Sequence, residues 1–529
     1  MRRVSLALTL VGFLLIGLAL SAGVRAQAPS GPRELVARAL QAMGGTEALR
    51  GLDRVRLKGE AQQWEPTQSY VPGGEPRFAN DSTVTIARDF GQDAARLDWD
   101  RRYAYPWPRH WRYSEIVAGG IGYVHGVDST ARVSRTLKTD PPGYAMSGFR
   151  VAITQRELQR TSPRFLLDLL ANPQHLAALA DRHAVRYRDG AHASTVMFDP
   201  ETHLPARIRV LDADTIEGDS TSDVVFADWR NEGGVKLPRR VTYEFNGREV
   251  ARFHFAEVAV NPPLAPGLFD IPAEAKASAR PAAAGNVPYQ WMLRRQYMGV
   301  LLDTDPINYD PGAVNGLRLV EVAPGIQHAV GGTHNSLIVE MKDHLIVFDA
   351  PMNEWQSTWT IDAAKAKYPG KPVKYLVLTH HHSDHAGGAR TYVAEGATVV
   401  VGSPAKALLA RVFTVPHTVD NDRLQRAPRP TRIVEVSDQM SLGDGTREVK
   451  LYRIANRHAE GMLIAYVPDA RVGFVTDLWS PARDSVPTPL NVDLLATVKA
   501  LGIDPGARFA GGHGGVAVLA DLEKIASKR

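Results

Sequence analysis

Cysteine is absent from all 529 residues. That excludes disulfide scaffolds, thiolate zinc fingers, cysteine-ligated iron–sulfur clusters, cysteine nucleophiles and lipidation through an N-terminal cysteine. Any transition metal must be held by histidine and carboxylate. A strong charge excess is missing too. The 62 Lys and Arg stand against 57 Asp and Glu, and three of the bases (Arg2, Arg3 and Arg25) lie in the first 26 residues, which contain no acid. The remainder therefore carries 59 bases against 57 acids, a net of only +2. No dense basic stripe is left for a nucleic-acid partner. Long apolar runs are confined to Val4–Leu20. This run follows Arg2-Arg3 and precedes Val24-Arg25-Ala26, the order of a secretory signal with its small-residue cleavage site. Residues 1–26 are expected to be removed on export, giving a periplasmic or secreted protein with no stable membrane span. Retention as an anchor is the alternative.

What is there is an ordinary globular mixture, 44% apolar and 22% charged, in a chain too long for one core. The pattern breaks once. Residues 274–288, with Arg280-Pro281-Ala282-Ala283-Ala284-Gly285, have no periodic apolar spacing and read as a linker. Residues 27–273 read mainly as antiparallel strand. A helix around Leu35, Val36, Ala39, Leu40 and Met43 opens the region, and alternating runs such as Thr83–Ile86 and Arg96–Trp99 follow. Asn246-Gly247 is the clearest hairpin signal. One helix is expected over Thr154–Leu170. The strand order and the turn Asp199-Pro200-Glu201-Thr202-His203-Leu204-Pro205 resemble the half-barrels of periplasmic lipoprotein carriers. The aromatics Trp99, Trp107, Trp111 and Trp229 fit a packed sheet face, or else a concavity for a lipidic ligand. The scattered His183, His192, His203 and His254 form no catalytic set.

Residues 289–529 alternate strand and helix, an α/β pattern. Leu337–Met341, Leu345–Asp349, the all-apolar Tyr375–Leu378 and Ala397–Val401 read as strands, with a helix from Glu354 to Tyr368. Directly after Tyr375–Leu378 comes Thr379-His380-His381-His382-Ser383-Asp384-His385-Ala386-Gly387-Gly388. A loop leaving a buried strand points alternate residues to one side. His380 and His382 can then meet one metal while Asp384 and His385, a turn later, meet another. His381 faces away and is expected not to ligate. Partners must come from elsewhere, and His458, Asp477 and His513 each follow an apolar strand.

In this order the residues resemble the metallo-β-lactamase-fold hydrolases, over residues from about 316 to the C-terminus. Asp349, ending its strand before a helix, also matches a position that the family commonly fills. The resemblance implies an αββα sandwich preceded here by the half-barrel-like domain. It implies two Zn2+ per chain: one held by His380, His382 and His458, a second by Asp384, His385 and His513, with Asp477 bridging and Asp384 aiming the attacking water. Histidine at 382, where the flavo-diiron oxygen reductases carry glutamate, favours hydrolysis. The bridging Asp477 is closer to the glyoxalase-II and lactonase branches than to the all-histidine lactamases. The expected function is hydrolysis of an ester, lactone, thioester or amide-type carbonyl in a small-molecule substrate. Two other readings stay open: a non-enzymatic lipid carrier with a degenerate metal site, and a mononuclear iron oxygenase. Thr379, Ser383, Glu460 and Tyr466 are further candidates to support the ligands, and His328, His334 and His417 to line the cleft, although a surface role suits these three histidines better.

Overall fold

The computed structural model describes residues 31–105, 108–128, 136–189, 192–280 and 317–528. The expected signal segment, residues 1–26, Trp107 and residues 281–288 of the expected linker lie outside them. Within the described part of that linker, Ala273–Ser278 is a short helix whose Ala275 packs with Ile116, Tyr123 and Ile271.

The N-terminal part is built on one antiparallel sheet of thirteen strands. Neighbours in sequence are neighbours in space. One meander runs outward from Arg54–Glu65 to Gly143–Ala145, and a second runs from Leu176–Ala178 to Arg248–Val260. The first strand of one meander pairs with the last of the other, Val55 opposite Val260 and Gln63 opposite Ala251. The Asn246-Gly247 hairpin forms as the sequence requires, both residues having positive φ, 51° and 77°. The expected single helix over Thr154–Leu170 is instead two, Gly148–Arg160 and Phe165–Ala171. Pro163 lies between them, lacking an N–H and disfavouring helical backbone at Ser162.

Buried charge ties this sheet to the Gly148–Arg160 helix. The Arg150 guanidinium, wholly buried, donates to Glu115 Oε1 at 2.7 Å and Asp128 Oδ2 at 3.0 Å, while Trp99 Nε1 donates to Glu115 Oε2 at 2.8 Å. Removing a partner from such a cluster leaves desolvated charge behind. Arg150→Met is therefore expected to lower unfolding free energy by about 3–5 kcal/mol, measured by urea denaturation followed through tryptophan emission. A variant as stable as the parent would show that the cluster contributes little.

The C-terminal part is a four-layer αββα sandwich. A seven-stranded sheet runs in sequence order from Arg318–Ala323 to Ile433–Val436, and a six-stranded sheet from Gln439–Gly443 to Val516–Val518. Alternation along strands sorts side chains between layers. Val400 points into the core between the sheets with Phe348, Val377, Leu451 and Phe474. Val399 and Val401 point outward onto Ile361, Ala364, Tyr392 and Leu409 of the helical layer. On the far side, Ile464, Val475 and Phe509 pack under Leu494, Val498 and Leu522. The two parts touch. Asp219 donates its N–H to Pro416 O at 2.8 Å, and Arg411 pairs with Glu217 at 2.7 Å.

Candidate metal centre

The Val373–Leu378 strand lies between parallel neighbours Leu345–Phe348 and Thr398–Gly402, so its apolar run is buried on both faces. Polar residues appear where these strands end. Asp349 follows one strand and Thr379-His380 another, and the short helix Ser383–Ala386 then presents Asp384 and His385. From the second sheet, His458, Asp477 and His513 follow Glu448–Arg453, Val472–Val475 and Arg508–Gly511. Asp349 and Asp477 hold left-handed backbone, φ 58° and 55°, a conformation Asp tolerates and one typical of functional sites.

All seven residues expected as ligands converge. His380, His382 and His458 form one group of donor atoms, His380, His385 and Asp477 a second, and Asp384, His385 and His513 a third that His334 joins. His380 Nε2 is 2.9 Å from His382 Nδ1 and 3.3 Å from His458 Nε2. Asp477 lies between the groups. Its Oδ2 is 3.0 Å from His385 Nε2 and 3.6 Å from His380 Nε2, and its Oδ1 is 3.0 Å from His513 Nε2.

The far sides of the rings set their tautomers. His385 Nδ1 donates to Asp349 Oδ2 at 2.9 Å, which turns Nε2 into the cluster. Burial acts to lower this imidazole, but the Asp477, Asp384 and Asp349 carboxylates outweigh it and raise it well above the usual range, so a proton holds the place a cation would take. The Asp349 carboxylate also accepts from Thr379 N at 2.7 Å and Thr379 Oγ1 at 3.0 Å. With its hydroxyl proton so used, Thr379 Oγ1 accepts from His380 Nδ1 at 3.2 Å, which bares His380 Nε2. His382 Nε2 donates to the Ser69 carbonyl at 2.9 Å, which bares His382 Nδ1. Two lone pairs thus face each other at 2.9 Å between His380 and His382. Buried acceptors so placed repel unless a cation stands among them, so the donor set fits a divalent ion. Burial, then the neighbouring imidazoles, holds His380 and His382 well below the usual imidazole range, in the neutral form that ligates. Burial acts to raise the Asp384 carboxyl, but His385 and His334 outweigh it and keep the group ionised.

His381 belongs to none of the donor groups. Its Nε2 donates to Ser69 O at 2.9 Å, and burial pushes its pKa down to about 4. His328 and His417 are buried, not at the surface: His328 Nε2 bonds Gly511 O at 2.9 Å, and His417 Nδ1 lies 3.8 Å from Asp422. His334, by contrast, stands at the centre, Nε2 3.7 Å from Asp384 Oδ2. Of the other candidates, Ser383 Oγ meets Thr67 Oγ1 at 3.2 Å, while Glu460 contributes only its N–H, to Tyr70 O at 2.8 Å. Tyr466 lies at the edge of the apolar cluster around Ile464.

Residues 329–513 match the model of the metallo-beta-lactamase superfamily. This region belongs to that superfamily. The metallo-beta-lactamase domain carries every residue expected above as a ligand. Solved structures similar to it include a metallo-beta-lactamase from Pontibacter korlensis, 16% identical, covering 40% of this chain and 97% of that one with a TM-score of 0.32. Another is the mono-zinc form of the metallo-beta-lactamase FIM-1 from Pseudomonas aeruginosa, 17% identical, covering 40% and 93%, TM-score 0.32. Among curated proteins, a linear primary-alkylsulfatase of a Pseudomonas species is 35% identical over 83 residues. That match spans 16% of this chain and only 12% of the relative's own length.

The N-terminal sheet also reaches this centre, which the sequence reading did not foresee. Gln68 Nε2 donates to Asp384 Oδ1 at 2.7 Å, and an Arg77 Nη2 donates to His458 O at 2.6 Å. The one signal was the length of the connection between strands Arg54–Glu65 and Arg77–Asp89, far longer than a tight hairpin needs.

Proposed function

We propose that this chain is a metal-dependent hydrolase with two zinc ions. His380, His382 and His458 would hold one, Asp384, His385 and His513 the other, and Asp477 would bridge them. The observation that supports this is the convergence of imidazole and carboxylate donor atoms in adjoining groups around Asp477. His334 is placed to add a donor beside Asp384. Two divalent ions bound there supply the Lewis acidity that makes water nucleophilic near neutral pH and polarises a substrate oxygen. The protein's own groups do the rest. Asp349 fixes the His385 ring, Thr379 and Ser69 fix His380 and His382, and the Asp384 carboxylate orients the attacking water and takes its proton. The substrate class is an ester, lactone, thioester or amide-type carbonyl, to which the distant alkylsulfatase adds sulfate esters. Export through residues 1–26 belongs to the same reading, and N-terminal sequencing of exported protein checks it.

The test is metal analysis of purified protein joined to a hydrolysis screen across those classes. Two zinc per chain and a hydrolysed substrate, both lost on chelation, are expected. One iron with oxygen uptake, or no metal at all, would sink the reading.

A second reading concerns the N-terminal sheet. A cavity of about 140 Å3 there is walled by Leu97, Trp99, Ile208, Phe253 and Phe255, with Arg101 beside it. It has room for an apolar group of about the size of benzene, the end of an alkyl chain and no more. A fatty acid titrated into the full protein is expected to shift tryptophan emission, and Trp99→Phe to remove most of that shift. An unchanged spectrum in the parent would end the idea.

A further inference from the structure

We propose that the connection at residues 66–76 is a working wall of the metal centre, in which Gln68 is a positioning residue for Asp384 and the Ser69 carbonyl sets the tautomer of His382. This rests on the metal-centre reading above and deepens it.

The connection leaves the N-terminal sheet at Glu65 and returns at Arg77, with Pro66, Pro72 and Pro76 limiting its freedom. It is pinned along its length. Thr67 Oγ1 meets Ser383 Oγ at 3.2 Å, Tyr70 O accepts from Glu460 N at 2.8 Å, and Tyr70 OH donates to Asn456 O at 3.1 Å. Arg77 then donates to the carbonyl of His458 itself. Thr67, Gln68 and Ser69 are all buried, although none belongs to a hydrophobic core. A loop that merely docked two domains would have no reason to aim polar groups at ligand residues.

The chemistry of each contact is specific. A carboxylate only accepts, so the Gln68 atom 2.7 Å from Asp384 Oδ1 must be its NH2. The amide oxygen then faces Tyr105, whose hydroxyl donates to it. Tyr105 thus locks the amide, and the amide occupies Oδ1. Asp384 Oδ2 remains, directed at the donor atoms His334 Nε2, 3.7 Å away, and His385 Nε2, 3.8 Å away. Gln68 divides the labour between the two oxygens of Asp384: one is tethered to the N-terminal sheet, the other is offered to an ion. Ser69 acts in parallel on the first group. Its carbonyl takes the His382 Nε2 proton, and the opposite tautomer would protonate the atom that faces His380. Groups that orient ligands in this way typically contribute about 10- to 100-fold in metal affinity.

The experiment uses full-length protein and zinc-competition titration, with the absorption spectrum of the cobalt-loaded form as a second readout. Gln68→Leu keeps the bulk of the side chain and removes the amide. It is expected to weaken one of the two ions about 10- to 100-fold, to leave the other unchanged, and to alter the cobalt spectrum. Tyr105→Phe leaves Gln68 in place but unlocks its amide, and should weaken the same ion by a smaller factor. It decides the matter if Gln68→Leu does not fold. Variants that bind both ions with parental affinity and spectrum overturn the proposal while leaving the metal centre intact. A parent chain that binds no divalent ion overturns the metal-centre reading instead.

Discussion

Asp384→Asn is expected to cut turnover about 10²–10⁴-fold, the range a positioned proton acceptor supplies. The carboxylate is buried, takes Gln68 Nε2 on Oδ1, and turns Oδ2 toward His334 and His385. An amide there is a poor ligand and cannot accept a proton from water. Whichever way it turned, its NH2 would meet either the Gln68 NH2 or the space where donor atoms converge. Loss of rate should therefore come with loss of metal, read by kcat and by metal content together. The matched control is His381→Ala. His381 sits between His380 and His382, the two proposed ligands, yet it belongs to no donor group, so this variant should keep its metal and most of its activity. Parental turnover in Asp384→Asn would remove Asp384 from the mechanism. Metal loss in His381→Ala with retention in His382→Ala would mean that the ligand register is wrong.

The second large effect is expected on stripping the metal. Without a cation the centre buries lone pairs against one another, His380 Nε2 against His382 Nδ1 at 2.9 Å, and only a proton on His385 Nε2 satisfies its 3.0 Å contact with Asp477 Oδ2. A ligand bound only by the folded state stabilises it by about 2.7 kcal/mol at a hundred times its dissociation constant and about 4.1 at a thousand times. Chelation should lower the unfolding temperature of the C-terminal domain accordingly, and added zinc should restore it. Protons compete for the same nitrogens, so this stabilisation grows with pH and fades in acid. Since burial keeps His380 and His382 below the usual imidazole range, protons should begin to displace the ion from them only when the pH falls below that range. Calorimetry with and without chelator at neutral and acid pH checks both points. Identical transitions at neutral pH would mean that no structural ion is present.

The residues that could be read from sequence are those whose signal is local. His380, His382, Asp384 and His385 are contiguous, and the apolar strand before them announces a buried strand end. His458, Asp477 and His513 could be found because each also follows such a strand. The α/β alternation implied sheets covered by helices, and the sandwich came with the family resemblance that the histidine motif carries. The hairpin at Asn246-Gly247 followed from its turn chemistry. His334 was placed with the cleft candidates and given a surface role, because a histidine in a glycine-rich loop carries no period. Gln68 had no signal beyond loop length: its partner Asp384 is 316 residues away. The split of the Thr154–Leu170 helix was legible in Pro163 but was outweighed by the apolar spacing on either side.

The pairing of the first strand of the N-terminal sheet with its last has a consequence for the order in which the molecule is assembled. Residues 66–76 hang from strand Arg54–Glu65, whose place beside Arg248–Val260 is not available until about two hundred further residues have left the ribosome. Contacts so distant in sequence form late and slowly. The wall that carries Gln68 and Ser69 is thus among the earliest segments made, yet it is set only when its sheet closes. Its remaining anchors, Ser383, Asn456 and Glu460, arrive later still, with the C-terminal part of the chain. A chain cut short between the two meanders would carry Gln68 and Ser69 but neither the partner strand Arg248–Val260 nor the histidines they face.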